Sequence, residues 1–120
     1  MSHVVTLQTK VHDPVAVAAA CQRLNLAPPR QGTAELFSGE AEGPIVQLPG
    51  WQYPVVIDTL SGFVRYDNYQ GYWGDQEQLD RFLQIYAVER TKLEARKKGY
   101  LVSEQALQDG SIKLQLTEGA

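Results

Sequence analysis

Cysteines, histidines and long apolar runs are scarce in this chain of 120 residues. Cys21 is the one cysteine, which excludes a disulfide within the chain and a cysteine-based metal cluster. The two histidines, His3 and His12, lack the spacing of a zinc site, so we expect no metal and no cofactor. No segment approaches the roughly 18 consecutive apolar residues of a membrane span, and the first ten residues carry no signal-peptide run. We therefore expect a cytoplasmic protein with no membrane segment.

An excess of positive charge is also missing. The chain has 11 lysines and arginines against 14 acidic residues, a formal net charge of −3, which disfavours a dedicated nucleic-acid binder. Its 43% hydrophobic and 21% charged residues are typical of a globular protein, and its length suggests a single domain over residues 1–120. No phosphate loop, dinucleotide fingerprint or nucleophile elbow is present, so a non-enzymatic role is favoured over catalysis.

What the chain does have is one long segment with a clear helical period. Residues 75–98 contain neither glycine nor proline, and Asp75 followed by Gln78 forms a capping-box pattern at the start. Their apolar side chains repeat at helical spacing along one stripe: Leu79, Phe82, Leu83, Tyr86 and Leu93. An earlier helix is predicted from Asp13-Pro14 to about Leu24, because Asp is a good N-cap and Pro is tolerated in the first turn.

Seven short segments read as strands, bounded by glycine, proline and acidic turns. They cover residues 4–11, 33–37, 45–48, 54–59, 63–67, 100–106 and 111–117, and the intervening SGEAEG is predicted to be a turn. Asp109-Gly110 predicts the turn of the last hairpin. The order β-α-β-β-β-β-α-β-β favours the α+β class, with an antiparallel sheet and both helices packed on one face. The predicted core comprises Val5, Leu7, Val55, Ile57, Phe82, Leu83 and Tyr86.

Aromatic side chains are concentrated between the central strands and the start of the long helix. Within 23 residues, interleaved with glycines, lie Trp51, Tyr53, Tyr66, Tyr69, Tyr72 and Trp73. Aromatic residues on glycine-bearing loops can form a binding surface, since they offer a large area and lose little side-chain entropy on binding. The competing interpretation is a small satellite core sealed by the two tryptophans, and both can hold together.

Arg90 falls on the apolar stripe of the long helix, about one turn after Tyr86. A guanidinium in that position must find a partner or reach solvent. We expect an ion pair with Asp58 or Asp67, and the alternative is a ligand anion. The cations that follow, up to Lys98, are explained by the helix macrodipole at a C-terminus, and a phosphate-binding or nucleic-acid patch is the alternative.

Several blocks of sequence together resemble a known family over roughly residues 1–117. They are the opening MSH with TLQTKV, Asp13 before a helix, RYDNYQGYWG, residues 84–87 of the long helix, KKGYLVSE and DGSIKLQL. The family consists of small uncharacterised proteins, first catalogued as a conserved chloroplast reading frame of algae and shared with cyanobacteria and other bacteria. The resemblance implies a cytosolic or stromal α+β protein, and it implies no reaction, ligand or catalytic residue.

Two functional hypotheses follow from the residues. The first is a non-enzymatic protein-binding or accessory module that acts through a protein partner, based on the aromatic loops and the missing catalytic motifs. The second is a small-molecule or anion-binding domain, with catalysis left open, that uses Arg90 and the aromatic loops. Assembly into a homo-oligomer is compatible with either.

Overall fold

The order of secondary structure follows the predicted order. A computed structural model describes residues 5–7 (backbone alone), 10–37 and 39–118. The two helices are α1 (Pro14–Arg23) and α2 (Gln76–Lys97). The strands are β1 (Val5–Leu7), β2 (Arg30–Leu36), β3 (Gly39–Val46), β4 (Val55–Asp58), β5 (Phe63–Tyr66), β6 (Tyr100–Ala106) and β7 (Ile112–Glu118). The α+β class and the β-α-β-β-β-β-α-β-β order are therefore confirmed.

Five strands form one antiparallel sheet in the order β1-β5-β4-β3-β2. Because side chains alternate along a strand, Val55 and Ile57 lie on one face of the sheet and Val56 on the other. Both helices pack on the face of Val55 and Ile57, where they share one buried cluster with the sheet. This confirms the predicted arrangement of two helices on one face.

Both helices begin at the aspartates that the sequence indicates. The Asp13 carboxylate accepts a hydrogen bond from the Val15 amide at 2.9 Å, and the Asp75 carboxylate accepts one from the Glu77 amide at 3.0 Å. These bonds satisfy amides that the helix itself leaves without partners. Within the described part of the chain, neither helix is both long and apolar enough to cross a membrane.

The main core lies between the helices and the sheet. Small side chains of α1, including Ala16 and Ala20, are fully buried and let this helix approach closely. Four predicted core residues are buried in this cluster and a fifth, Leu83, is half-buried against it; the four are Val55, Ile57, Phe82 and Tyr86. Val5 and Leu7 lie outside the residues whose side chains the structure describes.

The β2–β3 hairpin is longer than predicted. The segment predicted as an acidic turn is the first half of β3, and the chain reverses direction near Phe37. Gly43 lies so close to β4 that a Cβ there would overlap the carbonyl oxygen of Ile57. The hairpin contributes to a second buried cluster on the sheet face opposite the helices: Ala34, Leu36, Ala41, Ile45 and Val56, with Tyr53 packed against it.

The last two strands form a separate two-stranded sheet. Its loop contains Asp109 and Gly110, as predicted, and the Gly110 amide donates to the Leu107 carbonyl at 3.1 Å. The hairpin is attached to the helices by ion pairs from Glu104 to Arg23 (2.7 Å) and to Lys92 (2.8 Å).

Candidate binding surface

Two of the six predicted aromatic site residues belong to the interior. Trp51 is 5% exposed, and its indole N–H donates to the Asp75 carbonyl at 3.1 Å. Tyr66 is also buried and meets Trp51 edge-on at a centroid distance of 5.7 Å. Burial raises the pKa of the Tyr66 hydroxyl above its ordinary value. Trp51 and Tyr66 are therefore part of the main core between the helices and the sheet, and not of a separate satellite core.

The other four predicted aromatic residues, three tyrosines and Trp73, form one group that Phe37 joins. Ring centroids lie 4.9 Å from Trp73 for Tyr69, 5.2 Å for Phe37 and 5.4 Å for Tyr53. Tyr72 stands next to Tyr69 at 5.2 Å. These separations are typical of favourable aromatic pairs. We call this group the aromatic patch: Phe37, Tyr53, Tyr69, Tyr72 and Trp73.

The aromatic patch is open to solvent at two of its members. Phe37 is 54% exposed and Tyr72 is 81% exposed, whereas Tyr53, Tyr69 and Trp73 are half-buried. Phe37 was missed at the sequence level because it is far from the other aromatic residues along the chain. The signal in the sequence was that Phe37 directly precedes a predicted turn. A large apolar side chain next to a turn is difficult to bury and is therefore a candidate for an exposed surface.

An unusual backbone holds the loop that carries most of the patch. Tyr69, Gln70 and Gly71 have consecutive positive φ angles of 44°, 54° and 98°. Two of the three are not glycine, and such conformations persist only where surrounding contacts enforce them. The Asn68 carbonyl provides such contacts, because it accepts hydrogen bonds from the amides of Gly71 at 2.9 Å and Trp73 at 3.0 Å.

Asp67 lies at the base of the same loop and is fully buried. One carboxylate oxygen, Oδ1, accepts a hydrogen bond from the Tyr69 amide at 3.4 Å. In the described part of the chain, the other oxygen, Oδ2, has no hydrogen-bond partner. Buried polar atoms without partners are uncommon and destabilising. The loop therefore combines backbone strain with an unsatisfied buried carboxylate.

The segments that carry the patch are acidic. No lysine or arginine occurs between Arg30 and Arg65, or between Arg65 and Arg81. Exposed carboxylates flank the aromatic residues along the chain on both sides: Glu35 and Glu40 in the β2–β3 hairpin, and Asp75 and Glu77 at the start of α2. The chain segments that carry the aromatic patch therefore bear exposed negative charge.

Arg90 does not belong to this surface. It lies fifteen positions beyond Asp75, roughly 22 Å along a helix. The second hypothesis, which combines Arg90 with the aromatic loops, stays a prediction, and this separation along α2 gives it no support.

The predicted ion pair of Arg90 with Asp58 or Asp67 is wrong, and the guanidinium instead reaches solvent. The side chain is exposed, and among the described residues neither Asp58 nor Asp67 forms an ion pair with it. The reason is that the covered face of α2 changes along its length. Its first half lies on the sheet and α1, whereas farther along the buried positions are Val88 and Ala95.

Other candidate groups have structural explanations. Cys21 is buried, and burial raises the pKa of its thiol to about 11, which leaves it unreactive at neutral pH. Within residues 10–37 and 39–118, no three metal-ligating side chains come together. Part of the basic run on α2 is paired, since Lys92 contacts Glu89 and Lys97 contacts Glu94.

Comparisons with known proteins return no relative. No family model matches the chain, and neither a curated protein nor a solved structure is significantly similar to it.

Proposed function

We propose that this protein is a non-enzymatic binding module that contacts a protein partner through the aromatic patch. The observation that carries the proposal is the exposure of Phe37 and Tyr72 at the edge of a stacked group of rings. Rings that are already held against each other lose little freedom on binding, so their burial contributes efficiently to affinity. We further propose a cytoplasmic location and membership in the chloroplast reading-frame family, both on the sequence features given above.

The negative charge on the segments that carry the patch favours a partner with positive charge. Carboxylates of Glu35, Glu40, Asp75 and Glu77 favour the approach of a positively charged segment. Arginine and lysine side chains also interact favourably with the faces of tyrosine and tryptophan rings. We therefore expect the partner to present a segment in which basic residues accompany apolar ones.

The test begins with affinity capture from the native cell, using wild type and the variants Tyr72→Ser and Phe37→Ser. Both side chains are exposed, so both variants should fold. The matched control is Leu60→Ser, because Leu60 is 93% exposed in the β4–β5 turn, away from the patch. Any captured protein is then purified and titrated against the four chains at low and moderate salt.

We expect the partner to bind wild type and Leu60→Ser alike. It should bind the two patch variants at least about tenfold more weakly, as for a hot-spot residue. Binding should also weaken as salt rises, because the flanking charges become screened. Equal binding by wild type and Tyr72→Ser would overturn the proposal. Concentration-dependent self-association in sedimentation experiments, lost in Tyr72→Ser, would instead assign the patch to a second copy of this chain.

A further inference from the structure

A small cleft lies between α2 and the chain segment that precedes α1. It has a volume of about 220 Å³, and its lining includes Lys10, Val11, Leu83, Tyr86, Arg90 and Thr91. Val11 is buried and Leu83 is half-buried, so the floor of this cleft is apolar. Lys10, Arg90 and Thr91 are exposed around it.

Every polar side chain that lines the cleft can donate a hydrogen bond. Lysine and arginine can only donate, and the threonine hydroxyl can do so by rotating. The Tyr86 hydroxyl oxygen accepts a hydrogen bond from the Asp13 amide at 3.2 Å, which leaves its proton available to another acceptor. Among the residues that the structure describes, no carboxylate lines the cleft.

The carboxylates nearest along α2 are engaged elsewhere. Glu89 pairs with Arg23 and Lys92, and Glu94 pairs with Lys97. Asp13, which is adjacent to Tyr86, uses its carboxylate to cap α1. Consequently, Lys10 and Arg90 form no ion pair with any described residue.

We propose that this cleft binds a small oxyanion, a phosphate or carboxylate group, between Lys10 and Arg90. The guanidinium can hold two anion oxygens at once, and the ammonium adds a second positive charge. Tyr86 and Thr91 supply neutral donors, while Val11 and Leu83 lie under an apolar part of the ligand. The volume is below the roughly 300 Å³ of the smallest drug-sized pockets, so the ligand is small. This site is independent of the aromatic patch.

The test is a titration of the isotope-labelled protein followed by amide chemical shifts. Inorganic phosphate is the first probe and acetate the second, each with total ionic strength held constant by sodium chloride. We expect saturable shifts concentrated at the amides of Val11, Tyr86 and Thr91. Saturation with phosphate alone assigns the site to phosphate groups, and saturation with acetate alone assigns it to carboxylates.

Two variants and a matched control test which side chains hold the anion. Arg90→Met and Lys10→Met keep much of the side-chain length and remove the charge, and both residues are exposed, so the fold should persist. Each should weaken anion binding by about tenfold or more, the effect of losing one charged hydrogen-bond donor. Arg96→Met removes another exposed cation from α2 outside the cleft and should change the affinity less than about twofold.

Three results would overturn the proposal. The first is that neither phosphate nor acetate produces saturable chemical-shift changes. The second is an equal loss of affinity in Arg90→Met and Arg96→Met, which would mean that anions sense only the general charge of the helix. The third is a set of shifts spread over all exposed cations rather than concentrated at the cleft.

Discussion

Gly74 lies flat against the indole ring of Trp51, where a Cβ at position 74 would stand only 2.6 Å from Cγ and Cε2 of the ring. The ring has little freedom to move away, because it is buried and its N–H is bound to the Asp75 carbonyl. This contact separates the roles of the two tryptophans. Trp51 supports the start of α2 from the core, while Trp73, adjacent to Gly74, joins the aromatic patch.

The first prediction follows from this contact. Gly74→Ala should lower the free energy of unfolding by about 1–3 kcal/mol. The added methyl group overpacks against an indole ring that is buried and held by its hydrogen bond to the Asp75 carbonyl. The measurement is urea unfolding. Gly32→Ala is the control, since its Cβ would meet only Cδ1 of Ile45 at an ordinary 3.7 Å. Equal stability of the two variants would mean that the indole moves aside easily.

The sequence was a good guide wherever local chemistry decides the structure. The caps at Asp13 and Asp75 and the turn at Gly110 depend on residues close along the chain, and all three were predictable. The first half of β3 was not, because Gly39, Gly43 and Pro44 have low strand propensity. Pairing with β2 along its whole length overrides that preference.

The candidate sites were predictable only in part, for the same reason. The aromatic loop was recognisable from composition, but Phe37 reaches Trp73 only through the tertiary course of the β2–β3 hairpin. Arg90 was misplaced because a helical period assumes one buried face along the whole helix. On α2 the sheet and α1 cover one part, and the β6–β7 hairpin covers another.

The second prediction concerns the core. Phe82→Ala should lower the free energy of unfolding by about 3–5 kcal/mol, because Phe82 is fully buried between the helices and the sheet. Urea unfolding with an unchanged m-value is the measurement. A loss below about 1 kcal/mol would contradict the assignment of this side chain to the core.

The third prediction concerns the ion pairs of Glu104. The Glu104 carboxylate accepts hydrogen bonds from Arg23 and Lys92. These bonds, the one from Arg23 most of all, lower the pKa of the carboxyl from 4.5 to about 2. Because the folded-state pKa is the lower one, the stabilisation is present above about pH 4.5 and is lost as the pH falls towards 2. Glu104→Gln should therefore destabilise the protein at pH 7, by at most about 1 kcal/mol because the pairs are partly exposed. A destabilisation that stays constant between pH 7 and pH 2 would exclude this origin.

The fourth prediction concerns the last strand. Deleting residues 110–120 removes the pairing partner of β6 and the contact of Ile112 with the main core. An unpaired strand edge promotes aggregation, so we expect a loss of soluble protein, measured by light scattering and thermal unfolding. A chain ending at Glu118 is the control. A truncated protein as soluble and stable as the full chain would show that the hairpin is a dispensable appendage.

The last prediction concerns Asp67, whose carboxylate is fully buried and whose Oδ2 has no hydrogen-bond partner in the part of the chain that the structure describes. Asp67→Asn keeps an oxygen for the Tyr69 amide and removes the carboxylate oxygen that has no donor, so the free energy of unfolding should rise by about 1 kcal/mol.

The matched control for Asp67→Asn is Asp58→Asn. Hydrogen bonds from Ser61 and Leu60 favour the charged form of that half-buried carboxylate and lower its pKa, so its replacement should bring no gain. If the strained loop above Asp67 serves the aromatic patch, Asp67→Asn should also bind the captured partner more weakly while being more stable, since sites kept for function often reduce stability. Urea unfolding and partner titration of the same samples measure both effects. A destabilised Asp67→Asn protein would contradict this prediction.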